Sequence, residues 1–169
     1  MATTYEAIAT VTVGSGGAAN IEFTSIPGTY TDLVVKFSLR TVASLTWDEI
    51  QVTFNSNTSS YSERLFYGTG SSAGSTSGST RQFFIANGDT ATANTFGNGE
   101  IYIPNYAGSN NKSVSGDTVN ENNGSTAYIY LNAMLWSNSA AITSIKLASS
   151  NSANLKQYST ATLYGIKNS

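Results

Sequence analysis

The chain has 169 residues, enough for one domain with its own core, and it contains neither cysteine nor histidine. Those absences exclude disulfides, thiolate and imidazole metal sites, and the Ser-His-Asp arrangement. A formal net charge of −2, with only 11% charged residues, excludes the basic stripe that nucleic-acid binding needs.

From the N-terminus onward, apolar and polar residues alternate with a period of two. Met1-Ala-Thr-Thr-Tyr-Glu6 has no basic or apolar region of a signal peptide, so synthesis in a cytoplasm without an export signal is expected. No apolar run approaches the ~20 residues of a spanning helix, so no membrane partner is expected. The first predicted strands, 6–13 and 20–25, flank Gly14-Ser-Gly-Gly17. No helix follows that turn, so it is no phosphate cradle.

After Pro27-Gly28 comes a strand over 31–41. Leu33, Val35, Phe37 and Leu39 share one face, and Val34, Lys36, Ser38 and Arg40 share the other. Trp47 falls in the loop that follows, as a lid over the end of the domain or as an exposed anchor. The strand 49–55 turns Ile50, Val52 and Phe54 inward and Gln51 and Thr53 outward. A strand over 62–67 leads into 68–80, a run made only of Gly, Ser, Thr and Ala. Such a segment cannot offset the entropy of ordering, so it reads as a mobile loop unless a neighbour orders it.

Strands over 81–86, 100–104 and 112–115 come next, separated by Asn87-Gly88 and Asn98-Gly99. The stretch Asp117-Thr-Val-Asn-Glu-Asn-Asn-Gly124 gathers oxygen donors, but it lacks the alternating Asp/Asn spacing of a calcium loop and reads as a polar turn. In the strand over 127–135, Ala127, Ile129, Leu131, Ala133 and Leu135 take one side. Tyr128, Tyr130, Asn132, Met134 and Trp136 take the other. Apolar character on both sides is the pattern of a strand covered on both faces. Strands over 142–148 and 159–166 complete the chain.

About ten short strands with turn signals between them, and no amphipathic helix, predict an all-β fold. The expected architecture is one domain over 1–169, an antiparallel β-sandwich of jelly-roll type. No cofactor or metal site is expected. The acids lie scattered at strand ends and turns. A carboxylate-dependent glycan hydrolase, with Glu63 and Glu100 as candidate acids, is a distant alternative, since it needs two carboxyls about 5–9 Å apart. The chain's 10 tyrosines offer contact area at low entropic cost. The expected contact residues are Trp47, Tyr61 and Tyr67, with Gly70, Ser72, Gly74, Ser77 and Gly78 of the small-residue run.

Three phrases carry a resemblance: Ile21-Glu-Phe-Thr-Ser-Ile-Pro-Gly-Thr-Tyr-Thr-Asp-Leu-Val-Val35, Asn94-Thr-Phe-Gly-Asn-Gly-Glu-Ile-Tyr-Ile-Pro-Asn-Tyr106 and Tyr158-Ser-Thr-Ala-Thr-Leu-Tyr-Gly-Ile166. The chain resembles small β-sandwich virion proteins of tailed bacteriophages, cyanophages among them. The resemblance implies a non-enzymatic place in the virion, reached by lysis from the host cytoplasm. A capsid decoration (cement) subunit is the expected role. It would be a homotrimer bound to the major capsid protein or to other virion proteins. A tail or fibre module binding a host-surface glycan is the alternative.

Overall fold

The computed structural model describes residues 4–81, 84–124 and 126–167. The strands are β1 (Tyr5–Thr12), β2 (Asn20–Phe23), β3 (Asp32–Leu39), β4 (Trp47–Phe54), β5 (Tyr61–Gly68), β6 (Ala73–Gly78), β7 (Phe84–Asn87), β8 (Gly97–Ile103), β9 (Lys112–Val119), β10 (Ile129–Trp136), β11 (Ile145–Ser149) and β12 (Thr160–Ile166). No helix occurs among the described residues. Two antiparallel sheets result, as the alternation requires. The larger has eight strands, ordered β1-β12-β3-β8-β9-β10-β5-β6, and the smaller has four, ordered β2-β11-β4-β7. The fold is thus an all-β sandwich of two unequal sheets.

Each predicted strand has a counterpart. Gln82 and Phe83, expected in the strand over 81–86, lie outside the described residues. The expectation of a mobile loop over 68–80 is corrected: β6 occupies its middle and pairs in register with β5, from Ala73 opposite Gly68 to Gly78 opposite Glu63. Main-chain bonds need no side-chain pattern, and that is why the run carries none. One glycine there has a packing reason, since a Cβ at Gly74 would lie 2.6 Å from the Tyr67 ring.

The core sits where alternation places it. Leu33, Val35, Phe37 and Leu39 of β3 and Ile50, Val52 and Phe54 of β4 are all buried between the sheets. Fully burying such side chains stabilises the fold by roughly 1.5–3 kcal/mol each. Phe37 and Phe84 meet edge to face, ring centroids 6.4 Å apart. They fit because two positions lack side chains: a Cβ at Gly99 would lie 2.7 Å from Phe37, and one at Gly116 would lie 2.6 Å from Phe84. Asn98-Gly99, read as a turn, is therefore strand interior in β8, and the glycine marks close packing.

All four residues of β7 are buried. Phe84 and Ala86 enter the main core, while Ile85 packs on a second cluster with Leu65 and Tyr130. Both faces of β7 are therefore covered, with Leu65 of β5 and Tyr130 of β10 closing over the outer one.

Arg40 departs from its expected outward position. Beyond the end of β3 its side chain is buried, and its guanidinium donates to the carbonyls of Thr92 (2.7 Å), Thr95 (2.8 Å), Ala91 (2.9 Å) and Asp89 (3.2 Å). One fixed cation thus organises a loop that has few side chains to pack. Elsewhere uncharged amides do similar work. Asn55 Oδ1 accepts from the Thr143 N–H (2.8 Å) and the Ser144 N–H (3.1 Å), and Nδ2 donates to Ala141 O (2.8 Å).

Candidate interaction surface

The four strands β9, β10, β5 and β6 form one end of the large sheet, and strand parity sorts their side chains. Facing the small sheet are Tyr61, Glu63, Leu65 and Tyr67 of β5, with Tyr130, Asn132, Met134 and Trp136 of β10 opposite them. This inner face is densely aromatic. Trp136 stacks on Tyr61 at 6.3 Å and tilts against Phe54 at 5.6 Å. Tyr128 meets Trp47 at 5.2 Å and Tyr130 at 5.6 Å, both edge to face. Burial, followed by the nearby Tyr128, Glu49 and Tyr67, pushes the Tyr130 phenol far above its ordinary value.

The outward parity is of another kind. Phe66 is 59% exposed, Ile129 63% and Leu131 60%. Phe66 lies directly opposite Leu131, and Ala133 lies opposite Arg64. Ser75 and Ser77 of β6 continue these two rows, beside Phe66 and Arg64. Together they rim a shallow depression of about 720 Å³ whose walls are chiefly Phe66, Leu131, Arg64 and the serines of β6. The expectation that β10 is covered on both faces therefore fails within this chain: its aromatic face is buried, whereas Ile129, Leu131 and Ala133 of its aliphatic face are exposed and only Leu135 is half-buried.

The expected contact residues divide accordingly. Tyr61 is a correction, because it is buried. Its hydroxyl accepts from the Phe54 N–H (2.9 Å) and donates to Asn57 O (3.2 Å). Trp47 and Tyr67 are half-buried and pack into the second cluster rather than standing free as anchors. Gly70, Ser72 and Ser77 are exposed on the β5–β6 hairpin, and Gly74 and Gly78 are half-buried there. Phe66, Ile129 and Leu131, the exposed apolar side chains of this face, were not among the expected contact residues. Parity was the available signal, since aromatic and aliphatic residues on opposite faces of β10 can only both be covered if something covers the second face.

The acids named as hydrolase candidates lie on opposite faces of the large sheet. Glu63 is buried and accepts from Thr80 Oγ1 (2.8 Å), whereas Glu100 pairs outward with Lys36 at 3.0 Å. They do not flank a common space. In the stretch 117–124, Asn120 and Asn122 turn inward: Asn120 Oδ1 accepts from the Tyr128 N–H, and Asn122 Nδ2 donates to Thr126 O at 2.9 Å. These amides close the loop on itself. No group of three or more acidic side chains capable of holding a metal occurs among the described residues.

A second concavity, about 530 Å³, opens between the loops at one end of the sandwich. Asn94, Phe96, Asn154, Gln157, Tyr158 and the paired Lys156 and Asp89 contribute to its lining. Tyr158 is 68% exposed and has a left-handed backbone, φ 71°. Its N–H donates to Val13 O at 3.0 Å, which pins the turn. A bulky residue in that conformation costs on the order of 1–3 kcal/mol.

Set against protein-family models, curated proteins and solved structures, the chain finds no match in any of the three.

Proposed function

We propose that this chain is a non-enzymatic assembly subunit that attaches to a larger protein particle through the outer face of β5 and β10. The observation that carries the reading is the bare Phe66–Leu131–Ile129 row on a strand whose sequence is patterned for cover on both sides. An apolar patch of this kind marks a place where protein meets protein. Covering the three side chains contributes roughly 1–2 kcal/mol each. Association itself costs several kcal/mol, so a single contact is weak and a lattice of repeated contacts holds. That arithmetic fits a decoration subunit. The resemblance to tailed-phage virion proteins supplies the partner, a major capsid protein or its neighbours in the virion.

The test is reconstitution on particles that lack the protein. Wild-type chain is expected to bind and to raise the temperature or osmotic shock at which particles break. Leu131→Lys is expected to keep its fold and lose binding. Equal binding by Leu131→Lys, or particles equally robust without the protein, would refute the reading.

A second reading rests on the loop concavity. An exposed Tyr158 ring beside the amides of Asn94, Asn154 and Gln157 supplies a stacking platform and hydrogen-bonding groups suited to a sugar. This supports a tail or fibre module binding a host glycan. Binding on a glycan array that disappears in Tyr158→Ala would favour it, and an array with no signal would sink it.

A further inference from the structure

The free edge of β6 has a hydrogen-bonding phase that can be assigned. The Thr69 N–H donates to Ser72 O at 2.9 Å, and these residues continue the β5–β6 register. In an antiparallel pair, bonded and non-bonded residue pairs alternate. Tyr67/Gly74, Leu65/Thr76 and Glu63/Gly78 are then the bonded pairs. A bond on the other side of β5 agrees: the Ser137 N–H donates to Ser60 O at 2.8 Å, which gives the even-numbered residues of β5 to β10. Ala73, Ser75 and Ser77 therefore turn their N–H and C=O groups away from β5, toward the open edge.

Open edges are ordinarily guarded by charge, proline or bulges. At the opposite edge of the same sheet, β1 has Glu6, which pairs with Lys167 at 3.4 Å, and a register break between Ala7 and Ala9. By contrast, β6 reads Ala-Gly-Ser-Thr-Ser-Gly, with neither charge nor proline, and its register with β5 is unbroken.

We propose that the β6 edge pairs antiparallel with the β6 of a second copy, on a two-fold axis through Ser75. This extends the assembly reading by naming one partner. The sequence is suited to its own rotated copy. Ala73 meets Ser77 of the second copy and Ser75 meets its equivalent, so every outward N–H and C=O is used in about six bonds. Directly paired side chains are small and uncharged. Arg64 lies in the row of Ser77, which continues into Ala73 and Gly68 of the second copy, where no bulky group stands. By strand spacing and rise the two Arg64 residues sit about 20 Å apart, so their repulsion is screened. A two-fold edge contact also yields a dimer, where the resemblance implies a trimer.

Sedimentation equilibrium from micromolar to millimolar protein tests the pairing. Wild type is expected to form a reversible dimer. Ser75→Pro removes only an outward N–H, so it should keep the far-UV spectrum and melting temperature while weakening self-association about tenfold or more. Thr76→Pro removes a bond to β5 and should lower the melting temperature. Amide exchange at Ala73, Ser75 and Ser77 should slow as the dimer fills. A chain that stays monomeric, one that forms a trimer, or a Ser75→Pro protein that dimerises as wild type does would overturn the proposal. The two proposals fail separately: a monomer whose particle binding is lost in Leu131→Lys keeps the surface reading and rejects the pairing.

Discussion

At one end of the eight-stranded sheet, β1 has a bulge and a flanking ion pair, and the outer face nearby carries Lys36 bonded to Glu100 at 3.0 Å and Thr10 bonded to Thr162 at 3.0 Å. At the other end, β5 and β10 present Phe66, Ile129 and Leu131, and β6 presents small hydroxyls. One sheet thus has an end finished for water and an end left unfinished. Composition averages hide this. A low charged fraction spread evenly would mean a uniformly neutral surface, whereas the pairs Lys36–Glu100, Lys156–Asp89 and Lys167–Glu6 all lie away from the outer face of β5, β6, β9 and β10. The difference teaches that the inner face at the unfinished end serves folding, while its outer face leaves apolar side chains uncovered.

That division can be broken by mutation. The largest expected effect is Trp136→Ala, which empties the inner face and should cost about 3–5 kcal/mol in urea unfolding. Phe66→Ala, on the outer face of the same end, should cost less than about 1 kcal/mol in the isolated chain. Equal costs would erase the distinction.

Alkaline titration sharpens the comparison. Tyr130 ionises far above the ordinary tyrosine value of about 10 because it is buried. With a raised folded pKa, its contribution to stability is whole below that ordinary value and is lost as pH rises through the raised one. Tyr130→Phe should therefore flatten the alkaline loss of stability measured by denaturant unfolding, and an unchanged curve would place the loss elsewhere.

A smaller effect is expected at Asn132, buried on the inner face with neither side-chain amide atom hydrogen-bonded. Asn132→Leu should raise stability by about 1 kcal/mol, since an unsatisfied buried amide is removed. A fall of similar size would indicate that the amide is satisfied by a bound water.

The smallest effect belongs to the finished end. The Glu100 carboxylate, first by hydrogen bond and then by charge, raises the Lys36 pKa above its ordinary 10.5. The pair's contribution is present below that value and fades as pH rises through the raised one. Because it is exposed, Glu100→Gln should move the alkaline curve far less than Tyr130→Phe does.

Much of this was legible in the residues. Period two located the strands, and Leu33 through Leu39 and Ile50 through Phe54 lie on the faces expected of them. Three things were not legible, each for a physical reason. The β6 strand has no alternation because main-chain bonds, with the space for Tyr67 over Gly74, hold it. Gly99 looked like a turn because a glycine that makes room for a ring and one that permits a turn are the same letter. Arg40 looked solvated because nothing local announces that the carbonyls of a loop some fifty residues later will close around it. The candidate contact surface was half legible. The hairpin residues are accessible, but the aromatics chosen with them turned inward, where Tyr61, Glu63, Leu65 and Tyr67 share one parity.

The position of β7 has a dynamic consequence. Its four residues lie at the margin of the small sheet, yet both of their faces are occupied. Its amides are buried on both sides, so their exposure is expected to follow the parting of the two sheets. Their deuterium uptake would report the global opening free energy, so this short strand can serve as a built-in gauge of how firmly the whole molecule is closed.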